Sequence, residues 1–341
     1  MAVDLMNSSS QRPIICIFIL AAIASLVFFV ANRPRILIIQ SEQADSYRSR
    51  QFKDGWLHQA NASHFIARNL WFFLDQDVTP DAMTKTVAAI RSIEREDPDL
   101  VVLVDDQANA RLAPYLPGND RMKILYVGID QNPEYYGYGP DYRIAGIDEQ
   151  LRVDPIHELM SLLRPGEELR YGVIGVDNPG GHARLEQIRG CAWNQHHLEA
   201  SALVKDFEAW KSFIERHQDL DILIILNFDS LKAGDGSDSM VPEKQLIFWT
   251  EDNSRPLPIS VESKYVRYGG GLAFEASPRR FGEMALSQSA ALLKATPGQS
   301  IPPIHMNEFA VAICLSRLAS RGLAVPAIYQ ETARLAGTLY P

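Results

Sequence analysis

Polar residues gather where the apolar runs of this chain stop. Ser41, Glu42 and Gln43 follow one run, Asp105, Asp106 and Gln107 another, and Asp130 and Gln131 a third. In the second half, Asp177 and Asn178, Asn227 and Asp229, and Glu262 and Ser263 stand in the same relation to their runs. Carboxylates, amides and hydroxyls in these places suit recognition of a polar small molecule, because an open parallel sheet leaves its ligand crevice beyond the carboxyl ends of its strands. Tyr47, Tyr135, Tyr136, Tyr138, Phe228 and Tyr268 would add aromatic faces. The surplus of acids, with "DDQ" at 105–107, favours a cationic or polyhydroxylated ligand. An amino acid stays as an alternative, since like charges in a closed cleft cost several kcal/mol and Asp105 and Asp106 would oppose its carboxylate.

The same residues do not spell catalysis. No G-x-S-x-G elbow with a Ser-His-Asp order is present, and no Cys–His arrangement stands out. The three cysteines, Cys16, Cys191 and Cys314, lack metal-ligand spacing and read as free, buried thiols. His196 and His197 are adjacent, so they point apart on a regular element and read as a helix end rather than a metal site. The turn "GVDNPGG" is not G-x-G-x-x-G, Pro179 has no amide hydrogen for a phosphate, and Asp177 would repel one. Asp177 or Asn178 reads instead as the cap of the following helix. A net charge of −9 argues against nucleic acid, which needs clustered Lys and Arg. The expectation is a binding protein with no cofactor and no metal.

Two successive α/β lobes would position the candidates. "RILIIQS" (35–41), "HFIARNLWFFL" (64–74), "DLVVLVDD" (99–106), "KILYVGID" (123–130) and "YRIAGIDE" (142–149) read as strands, several of them continuous apolar runs of the kind parallel sheets cover on both faces. Helices are expected over 45–60 and from Thr79 as N-cap with Pro80 next. A break at "EQLRVDP" leads to a helix over 155–163, after which strands at 171–176, 199–205, 221–228 and 256–263 alternate with helices at 180–194, 207–217 and near 241–250. Beyond Tyr265 the pattern gives a glycine turn and a long helix. Residues 34–150 thus form lobe I, completed by about 264–300, residues 151–263 form lobe II, and 301–341 is a C-terminal segment assigned to neither.

At the amino end, "IICIFILAAIASLVFFVA" (14–31) carries no charge and reaches the length of a membrane-spanning helix. Phe29 occupies the place where a cleavage site would want a small residue, so an uncleaved transmembrane anchor is expected.

The stretch "RIAGIDEQLRVDPIHELMSLLRPGEELRYGVIGVDNP" (143–179) resembles the lobe crossover of ABC-transporter solute-binding proteins of the type I periplasmic binding fold, in the branch of tryptophan- and tyrosine-associated members. "NFDS" (227–230), "FGEMALSQSAALLK" (281–294) and a tail at 307–337, similar to that family's final helix, Gly-Leu, Pro and closing helix, extend the resemblance over nearly everything after residue 34. It implies two parallel-sheet lobes joined by a hinge, outside the cytoplasmic membrane, that close on a small molecule and deliver it to an ABC permease. A membrane-anchored sensing module signalling to a separate partner is the alternative, and an α/β enzyme the third reading.

Overall fold

Strands covered on both faces must be largely apolar, and the central strands of the first sheet meet that demand. The computed structural model describes residues 16–25, 28, 32–74, 81–116, 121–149, 151, 153–193, 196–234, 236, 239–306 and 308–341. β1 (Arg35–Gln40), β2 (Arg68–Phe73), β3 (Leu100–Val104), β4 (Lys123–Ile129), β5 (Ile144–Asp148) and the short β11 (Ile304–His305) form one parallel sheet in the order β11-β5-β4-β3-β1-β2. Side chains alternate across it. Ile36 and Ile38 meet Phe52 and Trp56 of α2 (Tyr47–Ser63) and Phe281 and Met284 of α10 (Pro278–Lys294). Leu37 and Ile39 face the opposite layer, with α3 (Asp81–Glu96) and α4 (Asp106–Leu112).

The second sheet repeats the plan with two reversed strands at one edge. β6 (Arg170–Val176), β7 (His197–Val204), β8 (Ile222–Ile225), β9 (Leu257–Ser260), β10 (Leu272–Ala276), β12 (Phe309–Cys314) and β13 (Leu339–Tyr340) run in the order β13-β12-β10-β9-β8-β6-β7, with β12 antiparallel to β10. One face carries α5 (Asp154–Leu163), α6 (Pro179–Gly190) and α12 (Ala327–Ala336), through Ile156, Leu185 and Tyr329 among others. The other carries α7 (Phe207–Arg216) and α8 (Glu243–Asn253), through Trp210 and Leu246. The short α9 (Lys264–Arg267) follows β9, and α11 (Leu315–Ser320) follows β12.

Three details differ from the sequence reading. Residues 264–300 do not act as one unit: β10 joins the second sheet, whereas α10 packs on the first. The tail at 309–314 is a strand, not a helix, because its short apolar "FAVAIC" run pairs with β10 along its length. Cys16 is exposed, Cys191 and Cys314 are half-buried, and all three are unpaired. Residues 16–25 are helical (α1), but residues 14, 15, 26, 27 and 29–31 of the expected anchor lie outside the described set, as do Thr79 and Pro80. Among the described residues no helix is long and apolar enough to cross a membrane.

α2 and α10 approach so closely that backbone meets backbone. A Cβ on Gly282 would overlap the Phe52 carbonyl, and one on Gly55 would overlap that of Arg279. Gly282→Ala should therefore destabilise the chain by about 1–3 kcal/mol in urea unfolding, despite alanine's better helix propensity. A stabilising Gly282→Ala would contradict this crossing.

Candidate functional site

The strand ends of lobe I are tied to one another before they can reach a ligand. Asp105 caps α4: its Oδ1 accepts from the Ala108 amide at 3.0 Å, and its Oδ2 accepts from the Ser41 hydroxyl at 2.6 Å and the Ser41 amide at 3.2 Å. The residue holds a φ of 74°, a left-handed geometry that ordinarily costs a side-chain-bearing residue energy. Asp106 accepts from the Asp130 amide at 3.0 Å, from the Gln131 amide at 3.4 Å and from the Tyr136 hydroxyl. Burial pushes both carboxyls up, against the pull of these donors. Gln107 is exposed on the first turn of α4. Ser41, Asp105 and Asp106 thus hold β1, β3 and β4 in register.

Lobe II uses amides for the same purpose. Asn178 caps α6 through the Gly181 amide at 2.8 Å, and its Oδ1 also accepts from Asn227 Nδ2 at 2.9 Å. Asn227 Oδ1 in turn accepts from the Val176 amide at 2.7 Å. Asp177 points away to His182 at 2.8 Å, which holds its carboxyl below the usual range. His196 Nδ1 accepts from the Leu169 amide at 3.2 Å. Among the described residues no group of three or more His, Cys, Asp or Glu could hold a metal ion.

Between the lobes lies a cavity of about 550 Å³. Its lobe I wall is the turn after β1 and the start of α2, with Glu42, Tyr47 and Arg48; its lobe II wall is Asp229, Glu243, Lys264, Arg267 and Tyr268. Lys264 donates to Asp229 at 2.5 Å and to Glu243 at 2.7 Å. Burial alone would lower its pKa, but the carboxylates of Asp229, Glu262 and Glu243 hold it above the ordinary lysine value. Burial and the neighbouring Asp229 push Glu243 up to about 7. Arg48 faces Glu149 at 3.4 Å. Three charged side chains of the lining make no hydrogen bond or ion pair among the described residues: Glu42 and Asp45 on lobe I, and Arg267 on lobe II, whose guanidinium stacks on Tyr47, 4.6 Å from the ring centre. The charge of Arg48 also acts on Glu42.

Of the residues picked out by strand-end position, Glu42, Gln43, Asp229 and Ser263 line this cavity. Asp130 and Gln131 line a second recess of about 500 Å³, together with Glu149 and Cys191. They also face lobe II directly. Asp130 accepts from Arg184 Nε at 2.9 Å, and Gln131 Nε2 donates to the Pro179 carbonyl at 2.5 Å. Arg184 also donates to Glu262 at 2.6 Å and to the Leu226 carbonyl at 2.7 Å. Sequence position missed Arg48, Lys264 and Arg267, which sit in the first turn or short helix after a strand end. It missed Arg184 as well, because that side chain reaches back from inside a helix; its only signal is a basic residue beside the core positions Leu185 and Ile188 of α6.

No protein-family model matches the chain, and no curated protein matches its sequence. Solved structures do match in fold. The ligand-free, open structure of CD0873, a substrate-binding protein with adhesive properties from Clostridium difficile, superposes with a TM-score of 0.65 at 14% identity, over 86% of this chain and 96% of that one. The ABC domain in complex with L-Trp from Streptococcus pneumonia gives 0.60 at 13% identity, over 87% and 98%. GanP, a glucose-galactose binding protein from Geobacillus stearothermophilus, gives 0.54 at 10% identity, over 83% and 98%. The fold is that of the two-lobe solute-binding proteins of type I.

One acid of the interface gives the chain a pH signature. Burial pushes Glu149 up to about 8, beyond what Arg48 can offset. A carboxyl whose folded pKa lies above its unfolded value adds stability below the unfolded pKa of about 4.3 and loses it as pH rises through the folded one. The melting temperature should therefore fall between pH 5 and pH 8.5, and Glu149→Gln, which mimics the neutral acid, should flatten that fall. An unchanged slope in Glu149→Gln would show that Glu149 is ionised throughout.

Proposed function

We propose that this chain is an extracytoplasmic solute-binding protein that captures a small molecule between its lobes by hinge closure and delivers it to an ABC permease, with no catalytic step. The uncharged run at 14–31 would keep it at the membrane. The observation that carries the reading is the cavity itself: it lies between the lobes and offers an unpaired carboxylate, Glu42, on one wall and an unpaired guanidinium, Arg267, on the other.

Those two groups suit a zwitterion. Glu42 would take an ammonium and Arg267 a carboxylate, and a guanidinium matches a carboxylate's two oxygens with paired donors. The argument for a cationic or polyhydroxylated ligand rested on Asp105 and Asp106 facing the cleft. Both carboxylates are occupied within lobe I by backbone amides and hydroxyls, so they no longer oppose an anionic group. Tyr47 and Tyr268 would cover the ligand's apolar part. The pneumococcal structure of the same fold is in complex with L-Trp, which agrees with an amino acid as the class.

A thermal-shift series on the full chain against amino acids, sugars, polyamines, nucleosides and short carboxylates tests the proposal. A ligand that binds only the folded state adds about 2.7 kcal/mol of stability at 100 times its Kd. The expected result is a shift with an amino acid, with affinity reduced at least about tenfold in both Glu42→Gln and Arg267→Gln. Silence across all classes, or a shift that survives both substitutions, would overturn it.

A further inference from the structure

The turn between β1 and α2 brings two acids to the cavity, and the wall from lobe II brings one base to match. Glu42 is half-buried just past the end of β1, and Asp45 is exposed three positions on, immediately before the Ser46 cap of α2. Both line the cavity, and neither makes a hydrogen bond or ion pair among the described residues. Arg267 of α9 has only the Tyr47 ring beneath its guanidinium. The other cations of the lining are engaged. Lys264 is bonded to Asp229 and Glu243, and the charge of Arg48 is shared among Glu149, Glu42, Glu275 and Glu262, so it does not cancel Glu42. We propose that the ligand is an amino acid whose side chain ends in a second cation, an ammonium or a guanidinium, and that Asp45 receives this cation while Glu42 and Arg267 hold the α-ammonium and the carboxylate. This deepens the amino-acid reading above and rests on it.

Charge matching excludes the simpler ligands. An amino acid with a neutral side chain would balance Glu42 and Arg267 but strip water from Asp45 with nothing in exchange, and an acid that loses water needs a partner. A polyamine would satisfy both acids yet set a cation against Arg267, and like charges in a closed cleft cost several kcal/mol. The demand for a cation comes from Asp45, not from Asp105 and Asp106, whose carboxylates are occupied inside lobe I.

The placement of the two acids gives the ligand a direction. Glu42, the more buried, would hold the α-carbon end at the strand edge, and Asp45, the more exposed, would meet the tip of a long side chain nearer to solvent. Lysine-like and arginine-like side chains are built for such a path, with an apolar stem and a charged tip that stays near water. Tyr47 and Tyr268 offer rings against which the stem can lie. A net charge of −9 adds a long-range field that draws cations toward the chain.

Isothermal titration calorimetry on the full chain compares lysine with norleucine and arginine with citrulline, pairs that differ in side-chain charge and little in length. At low ionic strength the charged member of each pair should bind about fivefold more tightly, and the ratio should shrink in high salt, as expected for an exposed ion pair. Asp45→Asn should bring the ratio below about twofold. Glu42→Gln should instead weaken both members of each pair alike, since they share the α-ammonium. Cadaverine, which is lysine without its carboxylate, should bind at least about tenfold more weakly than lysine. Norleucine and citrulline binding as tightly as lysine and arginine would overturn this inference and leave the amino-acid reading standing. A preference for the charged members that survives in Asp45→Asn would also overturn it. Silence from all four amino acids would remove both readings together.

Discussion

A guanidinium taken out of water must find acids and carbonyls on every side that faces protein, and that demand organises the interface between these lobes. Arg184 meets it by drawing Asp130 from the first sheet toward Glu262 and Leu226 at the second. The strand ends that supply those partners have to stand still for the contact to form. In lobe I the carboxylates of Asp105 and Asp106 knit β1, β3 and β4 together through Ser41, Asp130 and Gln131. In lobe II the amides of Asn178 and Asn227 lock β6, α6 and the end of β8. Rigid rims on both sides let one arginine span the seam.

This division of labour leaves the cavity to a different set of groups. Polar residues directly at the strand ends are consumed by backbone amides and by one another. Residues a few positions later, in the first turn of α2 and in α9, project into the space between lobes. Lys264 is already paired there with Asp229 and Glu243. What remains without a hydrogen bond or ion pair among the described residues is two acids on lobe I, Glu42 and Asp45, and one base on lobe II, Arg267. Recognition by Glu42 and Arg267 together would need both lobes at once, which is the physical content of capture by closure.

Much of the fold was legible because burial on two faces leaves a strand no freedom of composition. "RILIIQ" and "LVVLV" can be little else, and the helices between them carry caps or proline at their starts. β10 and β12 were hidden for opposite reasons. "LAFEA" runs straight into the α10 pattern, and "FAVAIC" abuts a true helix, so neither has a turn residue to mark both of its ends. The candidate cavity is lined by some residues that strand-end position singles out and by others that it does not. Strand-end position finds Glu42 and Asp229, but it cannot distinguish an acid that faces a ligand from one that caps a helix, as Asp105 does. Long basic side chains were invisible to it, because Arg184 and Arg267 act several ångströms from their own Cα atoms.

The most direct measurement is a crystal structure of the full chain with the amino acid that gives the largest thermal shift. The account predicts density in the cavity between the lobes, with the ligand ammonium within hydrogen-bond distance of Glu42 and its carboxylate paired to Arg267. Density on an outer face of either lobe, or a ligand in the cavity that touches neither residue, would contradict it.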